Sequence, residues 1–330
     1  MLFSVVVPTH HRPESLDRLL DSLTKQSLDH QAFEVLIIPS PQDKSLNQLT
    51  EKIPLLPFST KILIPTADPF SGKSASFKRN YGAKNAIAEW IAFIDDDCVA
   101  DPLWLAQAAT QIHKWDLHGI EGLTEIPIPE KITFTYKGIK RLSSQGGYQT
   151  CNMFYRKQTF IDLGGFDLKF PFYLEDTDLA WTFLDNKKYI SFLDTAIVQH
   201  PVPAPEVKRL LDNAWRTRLL PYLYKKHPEQ FTHSDFKPLN PSQWAYLILY
   251  FGSIYSVLVS PNKLLTLSIM LIGIVLYNTA YTYRLLKGCH FEKKELFEIF
   301  IYLPIAPVIA FTQLIRGNIE NKTFLFLKKS

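Results

Sequence analysis

Three adjacent carboxylates, Asp95, Asp96 and Asp97, directly follow the apolar run Ala88-Glu89-Trp90-Ile91-Ala92-Phe93-Ile94. Like charges crowded at the end of a buried segment repel and are costly to desolvate unless a cation or strong donors share them. Hard oxygen ligands favour Mg²⁺ or Mn²⁺ over zinc or copper. Both ions commonly carry a diphosphate, so the triplet points to a phosphorylated donor. Lys73, Lys78 and Arg79 lie beside Gly72 in a loop before a helix, a pattern suited to cradling phosphate oxygens. Glu175-Asp176 opens a further helical stretch; a carboxylate at a helix N-terminus stays ionised and can take a hydroxyl proton. The plain alternatives are a solvated acidic turn, a basic helix face and ordinary first-turn charge.

The elements that must position these groups alternate up to about Pro205. Phe3 to Val7, Val35 to Ile38, Lys61 to Ile64 and Ile91 to Ile94 read as strands, and Arg12 to Ser27 as a helix with Leu16, Leu19, Leu20 and Leu23 on one face. Phe77 to Trp90 has helical spacing, and Asp101-Pro102 reads as a helix start with Asp as N-cap. Continuous apolar strands in the order β-α-β-β-α-β-α imply a parallel sheet covered on both faces, with ligands beyond its carboxyl edge. Pro8-Thr9 and Asp95 to Asp97 both fall at that edge.

After Pro205 the character changes. Val207 to Lys226 is helical and basic, and three apolar segments follow: Trp244 to Ser260, Leu264 to Leu286, and Leu296 to Ile315 with Pro304 and Pro307 inside it. A spanning helix needs about 20 apolar residues. The second segment meets that length, the first is marginal, and the third is open between spanning, re-entrant and interfacial placement. Ser260-Pro261-Asn262-Lys263 is a tight link, so the first two read as a membrane hairpin. Lys293-Lys294 and Lys328-Lys329 give opposing orientation votes for the third. The net charge of +4 is too small for a nucleic-acid footprint, and three cysteines without a CxxC pair fit a reducing compartment. Met1 to Pro8 carries no signal-peptide pattern.

Five patterns together resemble family 2 glycosyltransferases over roughly residues 1 to 228. They are Val7-Pro8-Thr9-His10-His11-Arg12; Ser71 to Ala83; the Asp triplet; Thr150 to Arg156 with Leu163-Gly164-Gly165-Phe166-Asp167 and Leu174 to Leu179; and Val198-Gln199-His200-Pro201. The ending Lys225-Lys226-His227-Pro228-Glu229 and the apolar segments look like the membrane-associated members.

The resemblance implies a GT-A fold, a Rossmann-like, mostly parallel sheet with helices on both faces. It spans residues 1–205, followed by a basic connector at 206–242 and a membrane-associated region of two or three helices at 243–330. It implies donor binding by Pro8, Thr9, Arg12, Lys78, Arg79, Asn80, Asp95 and Asp96, and a Mg²⁺ or Mn²⁺ ion on Asp97, Asp95 and His200. Asp176 would be the general base of an inverting transfer, with Asn152, Gly165, Phe166, Asp167 and Glu175 on the sugar and acceptor side. The implied partners are a nucleotide-diphosphate sugar, a glycan or lipid-linked acceptor and membrane lipid, at the cytoplasmic face of the cell inner membrane. One departure stands out. The base-binding aspartate that usually follows the second strand is absent from Ile37-Ile38-Pro39-Ser40-Pro41, and Asp43 comes later, which leaves the nucleotide base open. Two rivals remain: transfer to a polyprenyl phosphate, where no base is needed, and a membrane scaffold that has lost catalysis.

Overall fold

The structure, a computed structural model, describes residues 1–330 apart from 50, 67, 68, 71, 115, 140–144, 172, 203, 205 and 327–330. Ser71, Pro205 and Lys328-Lys329 therefore lie outside the described residues. The chain forms two compact units, residues 1–128 with 140–202, and residues 129–139 with 203–330.

The first unit contains β1 (Phe3–Pro8), α1 (Pro13–Leu23), β2 (Phe33–Ile38), β3 (Ser59–Ile62), α2 (Ala75–Asn85), β4 (Trp90–Phe93), β5 (Val99–Ala100), α3 (Trp104–Ala109) and β6 (Leu117–Glu125). The first helix of the other unit, α4 (Phe134–Ile139), interrupts it, and β7 (Met153–Arg156), α5 (Lys157–Asp162), α6 (Glu175–Asp185) and β8 (Tyr189–Gln199) complete it.

One sheet runs in the order β3-β2-β1-β4-β7-β6-β8-β5. The first four strands are parallel, β7 is antiparallel to both β4 and β6, and β8 returns parallel to β6. The sheet is thus mixed, with its parallel half where continuous apolar runs predict it. Every residue of β1 and β2 is buried, and the pleat deals them to two cores. Val5, Val7 and Ile37 pack with Leu16, Leu19, Leu20 and Leu23 of α1. Val6, Leu36 and Ile38 pack with Ala83 of α2 and Leu179 and Phe183 of α6. Each such Val, Leu, Ile or Phe side chain contributes about 1.5–3 kcal/mol by leaving water.

Two boundaries differ from the sequence reading. The helix expected to reach Trp90 stops at Asn85, because Trp90 pairs with Phe3 as the first residue of β4. Asp101 does not cap α3. Its carboxylate accepts from Leu103 N at 2.8 Å in a local turn, and the helix begins at Trp104.

Besides α4, the second unit contains α7 (Arg209–Arg216), α8 (Leu220–Lys226), α9 (Pro228–His233), α10 (Pro241–Val259), α11 (Lys263–Leu286) and α12 (Lys293–Asn321). Asn240 caps α10 with a capping box, and Asn262 caps α11. The three last helices are each long and apolar enough to cross a membrane, but they are not equally bare. Within the apolar stretch, 11% of α10, 6% of α11 and 39% of α12 is buried inside the protein, so α12 is the most covered of the three.

Pro304 and Pro307 lie inside α12 without ending it. Pro304 has no N–H for the Phe300 carbonyl four residues back. Asn278 Nδ2 of α11 donates to that oxygen at 2.9 Å, while Asn278 Oδ1 accepts from Tyr246 Oη of α10 at 2.6 Å. Tyr250 Oη donates to Pro304 O at 2.7 Å. The backbone around Pro304 is thus the place where three helices are tied. Farther along, Ala310 and Leu314 are buried with Ala214 of α7, Gly317 sits against the Arg218 carbonyl, and Arg218 forks onto Glu320.

Candidate active site

The carboxyl ends of β1 and β4 are neighbours, so Pro8-Thr9 and the Asp triplet meet there. Thr9 Oγ1 donates to Asp96 Oδ2 at 2.7 Å, and Arg12 donates to Asp96 Oδ1 at 3.3 Å and to Asp97 Oδ2 at 2.9 Å. Asp96 is the inward member of the triplet, and burial pushes its carboxyl up to about 6 against the opposing effects of Thr9 and Arg12. Through Thr9 and Arg12 it ties the β1 and β4 edges together, and it also lines the adjoining cleft.

The three carboxylates diverge. Asp95 Oδ1 accepts from Arg79 at 2.6 Å. The other arm of the same guanidinium donates to Glu175 Oε1 at 3.1 Å, and its plane lies over the Phe166 ring at 5.7 Å. Arg79 is 4% exposed, and its Nε is buried without a partner. The two carboxylates hold its charge more firmly than burial weakens it, and its pKa is raised.

Asp97 turns the other way. Asp97, Cys98 and His200 each offer one ligand atom, all within 4.8 Å of one another. His200 Nδ1 is paired with the Pro201 carbonyl at 2.9 Å, which assigns it the proton and leaves the lone pair on Nε2. A carboxylate and a neutral imidazole are donors that Mn²⁺ or Mg²⁺ accepts, so the residues present fit a divalent ion. Cys98 is fully buried, and the neighbouring Cys151 thiol together with burial raises its pKa and keeps it protonated. Asp95, expected beside Asp97 as a ligand, is occupied by Arg79.

A cleft of about 370 Å³ opens along this edge. Pro8, Thr9, His10 and Arg12 form one wall, Asp95, Asp96 and Asp97 another, and Gly72, Lys73, Ala75, Lys78 and Arg79 the third. Lys73 is exposed there. Lys78 is buried and donates to Thr9 O at 2.6 Å and Ser40 Oγ at 2.9 Å. Ser40 in turn donates to Gly72 O at 2.9 Å and contacts His10 Nδ1 at 2.6 Å. Gly72 is required here, since its φ is +79° and a Cβ would come within 2.6 Å of Ser40 Oγ. Asp43 does not replace the missing aspartate. It is turned toward His11 N at 2.7 Å and Ser45, away from the cleft.

Asp176 lies at the start of α6, after Leu174 in a left-handed conformation with φ +67°. Thr177 donates to its Oδ1 from N at 2.7 Å and from Oγ1 at 3.3 Å; among the described residues no donor reaches Oδ2. The sequence reading has it simply ionised. Instead desolvation, with the Glu175 charge second, raises its pKa to about 7. Glu175 is itself raised by burial against the pull of Arg79.

Several residues expected to meet the donor or acceptor are engaged by partners within the protein. Asn152 is 1% exposed; it donates to Leu123 O and Ala196 O, both at 2.9 Å, and accepts from Trp104 Nε1 at 2.8 Å, so its amide is fully used. Asn80, expected at the donor, clasps the Phe166 backbone by two hydrogen bonds of 2.8 and 2.9 Å. Gly165 has φ +66°, and a Cβ there would lie 2.6 Å from Asn80 Oδ1. Phe166 is a buried ring beneath Arg79. Asp167 is half-buried and accepts from Lys169 N at 3.0 Å. The sequence reading leaves His10 and Ser40 without a role, yet they line or support the cleft. The missing acidic residue after β2 is the signal that marks Ser40.

The parallel β3-β2-β1-β4 block, with the Asp triplet at the carboxyl end of β4, defines a GT-A type domain. Residues 4–162 match the model "Glycosyl transferase family 2", and this N-terminal domain belongs to that family. The chain is 25% identical over 209 residues to "Glycosyltransferase AglE" of Haloferax volcanii, a match that covers 60% of this chain and 66% of AglE. It is 29% identical over 113 residues to the poly(ribitol-phosphate) beta-N-acetylglucosaminyltransferase TarS of Staphylococcus aureus, covering 34% of this chain and 19% of TarS. Among solved structures, a TarS fragment in complex with UDP-GlcNAc superposes with a TM-score of 0.51 at 17% identity, covering 98% of this chain and 93% of that one. Mannosyltransferase PcManGT from Pyrobaculum calidifontis, in complex with GDP-Man and Mn²⁺, gives 0.58 at 12% identity over 95% and 86%. At those identities the structures speak for the fold.

Proposed function

We propose that this chain is an inverting, metal-dependent glycosyltransferase that moves a sugar from a nucleotide-diphosphate sugar to an acceptor hydroxyl at the cytoplasmic membrane face. The observation that carries this reading is the Arg79 fork. One guanidinium joins Asp95 at the cleft to Glu175, the neighbour of Asp176, and so couples the donor wall to the candidate base.

In this reading the diphosphate lies between Lys73, Lys78 and the triplet, with Arg12 alongside. Asp97 and His200 would hold a Mn²⁺ or Mg²⁺ ion, which when bound supplies charge neutralisation for the departing nucleoside diphosphate. Asp176 accepts the acceptor hydroxyl proton on Oδ2 while Thr177 fixes Oδ1, and a pKa of about 7 is matched to that task near neutral pH. Asp95 serves by holding Arg79 in place. Ser40 and His10 take the position on the base side, so base choice rests on neutral hydrogen bonds rather than a carboxylate.

The acceptor is a lipid-linked glycan or a growing surface polysaccharide. The membrane part of the reading rests on α10 and α11, which return to one side as a hairpin. Arg284, Lys287, Lys293 and Lys294 cluster at the α11–α12 link against Lys263 alone at the hairpin tip, and the positive-inside rule puts the link in the cytoplasm. The end of α12 packs on the α7–α8 connector that precedes the hairpin, so α12 stays on that same side rather than spanning. The test is transfer with a panel of nucleotide sugars and Mn²⁺ in detergent, with Asp176→Asn as control. A hydroxyl acceptor that still turned over at the wild-type rate with Asp176→Asn would remove the assigned base.

A further inference from the structure

The second unit holds a larger cavity than the catalytic cleft, one that the proposed chemistry does not use. It is an open groove of about 790 Å³ between the end of α11 and the start of α12. Its walls are apolar, with Leu286, Leu296, Phe297 and Phe300 among the lining residues. Phe297 remains 66% exposed and Leu296 38% exposed, so the groove opens on the same bare apolar surface that α11 presents. Its volume is within the range of sites that enclose small molecules.

Three features make this groove more than an unpartnered apolar face. Lys287 and Lys293 line it, and no ion pair engages either among the described residues. The nearby carboxylates do not neutralise them: Glu292 and Glu295 close a capping box on the start of α12, and Glu298 faces Lys294 at 3.8 Å. Lys137 donates to the Leu285 and Lys287 carbonyls at 3.3 and 3.1 Å, so the end of α11 is fixed with its own negative pole already covered. Finally, Thr282 lines the groove, is 4% exposed, and its Oγ1 is buried with no hydrogen-bond partner. An isolated buried hydroxyl is costly, and helical threonines ordinarily return that hydrogen bond to the backbone.

We infer that this groove is a binding site for one anionic membrane phospholipid. An acyl chain lies between α11 and α12, the glycerol ester oxygens lie near Thr282, and the phosphate lies at Lys287 and Lys293. The matching of charge to the mouth and of apolar wall to the interior commits the site to a lipid that is both anionic and long-chained. The inference goes beyond the proposed transfer reaction and does not depend on it.

The experiment uses the full chain in dodecyl maltoside and counts bound lipid by native mass spectrometry. Phosphatidylglycerol, phosphatidylcholine with the same chains, and glycerol 3-phosphate are compared as probes. One phosphatidylglycerol is expected to be retained at least tenfold better than phosphatidylcholine, with glycerol 3-phosphate failing to compete. The double variant Lys287→Ala/Lys293→Ala should bring phosphatidylglycerol down to the phosphatidylcholine level. Leu296→Trp, a change at a part-exposed wall position, should reduce retention of both with an unchanged melting temperature. Equal retention of the two lipids by the wild type, or unchanged phosphatidylglycerol retention by the lysine variant, would overturn the site. Competition by glycerol 3-phosphate as effective as that of the lipid would replace it with a headgroup-only anion site.

Discussion

Arg79 donates to Asp95 at 2.6 Å from a position that is itself 4% exposed, so the outer carboxylate of the triplet faces a fixed internal cation. The donor wall and the start of α6 are consequently one electrostatic unit. Removing Arg79 would leave the buried Glu175 without its cation, whereas removing Asp95, which is partly exposed, still leaves Arg79 paired with Glu175.

Arg79→Lys is the sharp test of that unit, because an ammonium cannot fork between Asp95 and Glu175 as a guanidinium does. The expected result is a melting temperature lower by on the order of 10 °C, with turnover reduced by at least about a hundredfold. Thermal unfolding and initial-rate assays on the same preparation check both.

The raised pKa of Asp176 makes a pH prediction with a definite sign. The base form is lost as pH falls below about 7, so kcat/KM should fall about tenfold per pH unit there. Stability moves oppositely. A carboxyl whose folded pKa exceeds its ordinary value favours the fold while protonated, and that advantage is lost as pH rises from about 4 through 7. Asp176→Asn should therefore raise the melting temperature at pH 8, leave it nearly unchanged at pH 4, and remove transfer to a hydroxyl.

Metal dependence should separate the carboxylates of the triplet. Asp97→Asn and His200→Ala should raise the Mn²⁺ concentration for half-activation by at least about tenfold, whereas Asp96→Asn should act mainly on stability. Metal titration after chelation distinguishes these outcomes.

Gly165→Ala places a Cβ against Asn80 in a left-handed conformation. A loss of about 2 kcal/mol is expected from the backbone alone, and Asn80→Ala should also destabilise by releasing the Phe166 backbone. Denaturant midpoints measure both, with KM for the donor little changed.

Topology gives a further check. A cysteine introduced at Asn321 should be labelled from the same side as one at Lys226, because the end of α12 is bonded to the connector; Lys225 donates to the Asn321 carbonyl at 3.0 Å. Opposite-side labelling would make α12 a span.

Much of the parallel half of the fold was legible in the sequence, because Val5 to Val7 and Leu36 to Ile38 are buried on both faces and so read as unbroken apolar runs. The α1 stripe was equally plain, since Leu16, Leu19, Leu20 and Leu23 recur at helical spacing. The β7–β6–β8 half was less legible: those strands are mixed in direction and partly exposed, so their pattern is diluted. Motif positions located the site but not the partners within it. Adjacent carboxylates look alike in sequence, yet the turn after β4, closed by Cys98 N on the Asp95 carbonyl at 3.1 Å, sends Asp96 inward, Asp95 to Arg79 and Asp97 toward His200. Asn80 and Asn152 carry the amides a ligand site would use, and only their tertiary partners reveal them as clasps. The fate of α12 was undecidable from hydropathy, because an apolar helix surface reads the same whether it faces lipid or packs, as here, on the α7–α8 connector.

The central claim is sugar transfer driven by this cleft, and nucleoside diphosphate release measures it most directly. The full chain in detergent, with Mn²⁺, an acceptor extract and a panel of nucleotide sugars, should release nucleoside diphosphate from one donor class. Release should stop on chelation, and Asp97→Ala and Asp176→Asn should each lower it by at least about a hundredfold. Release at the wild-type rate by both variants, or with metal removed, would contradict the account.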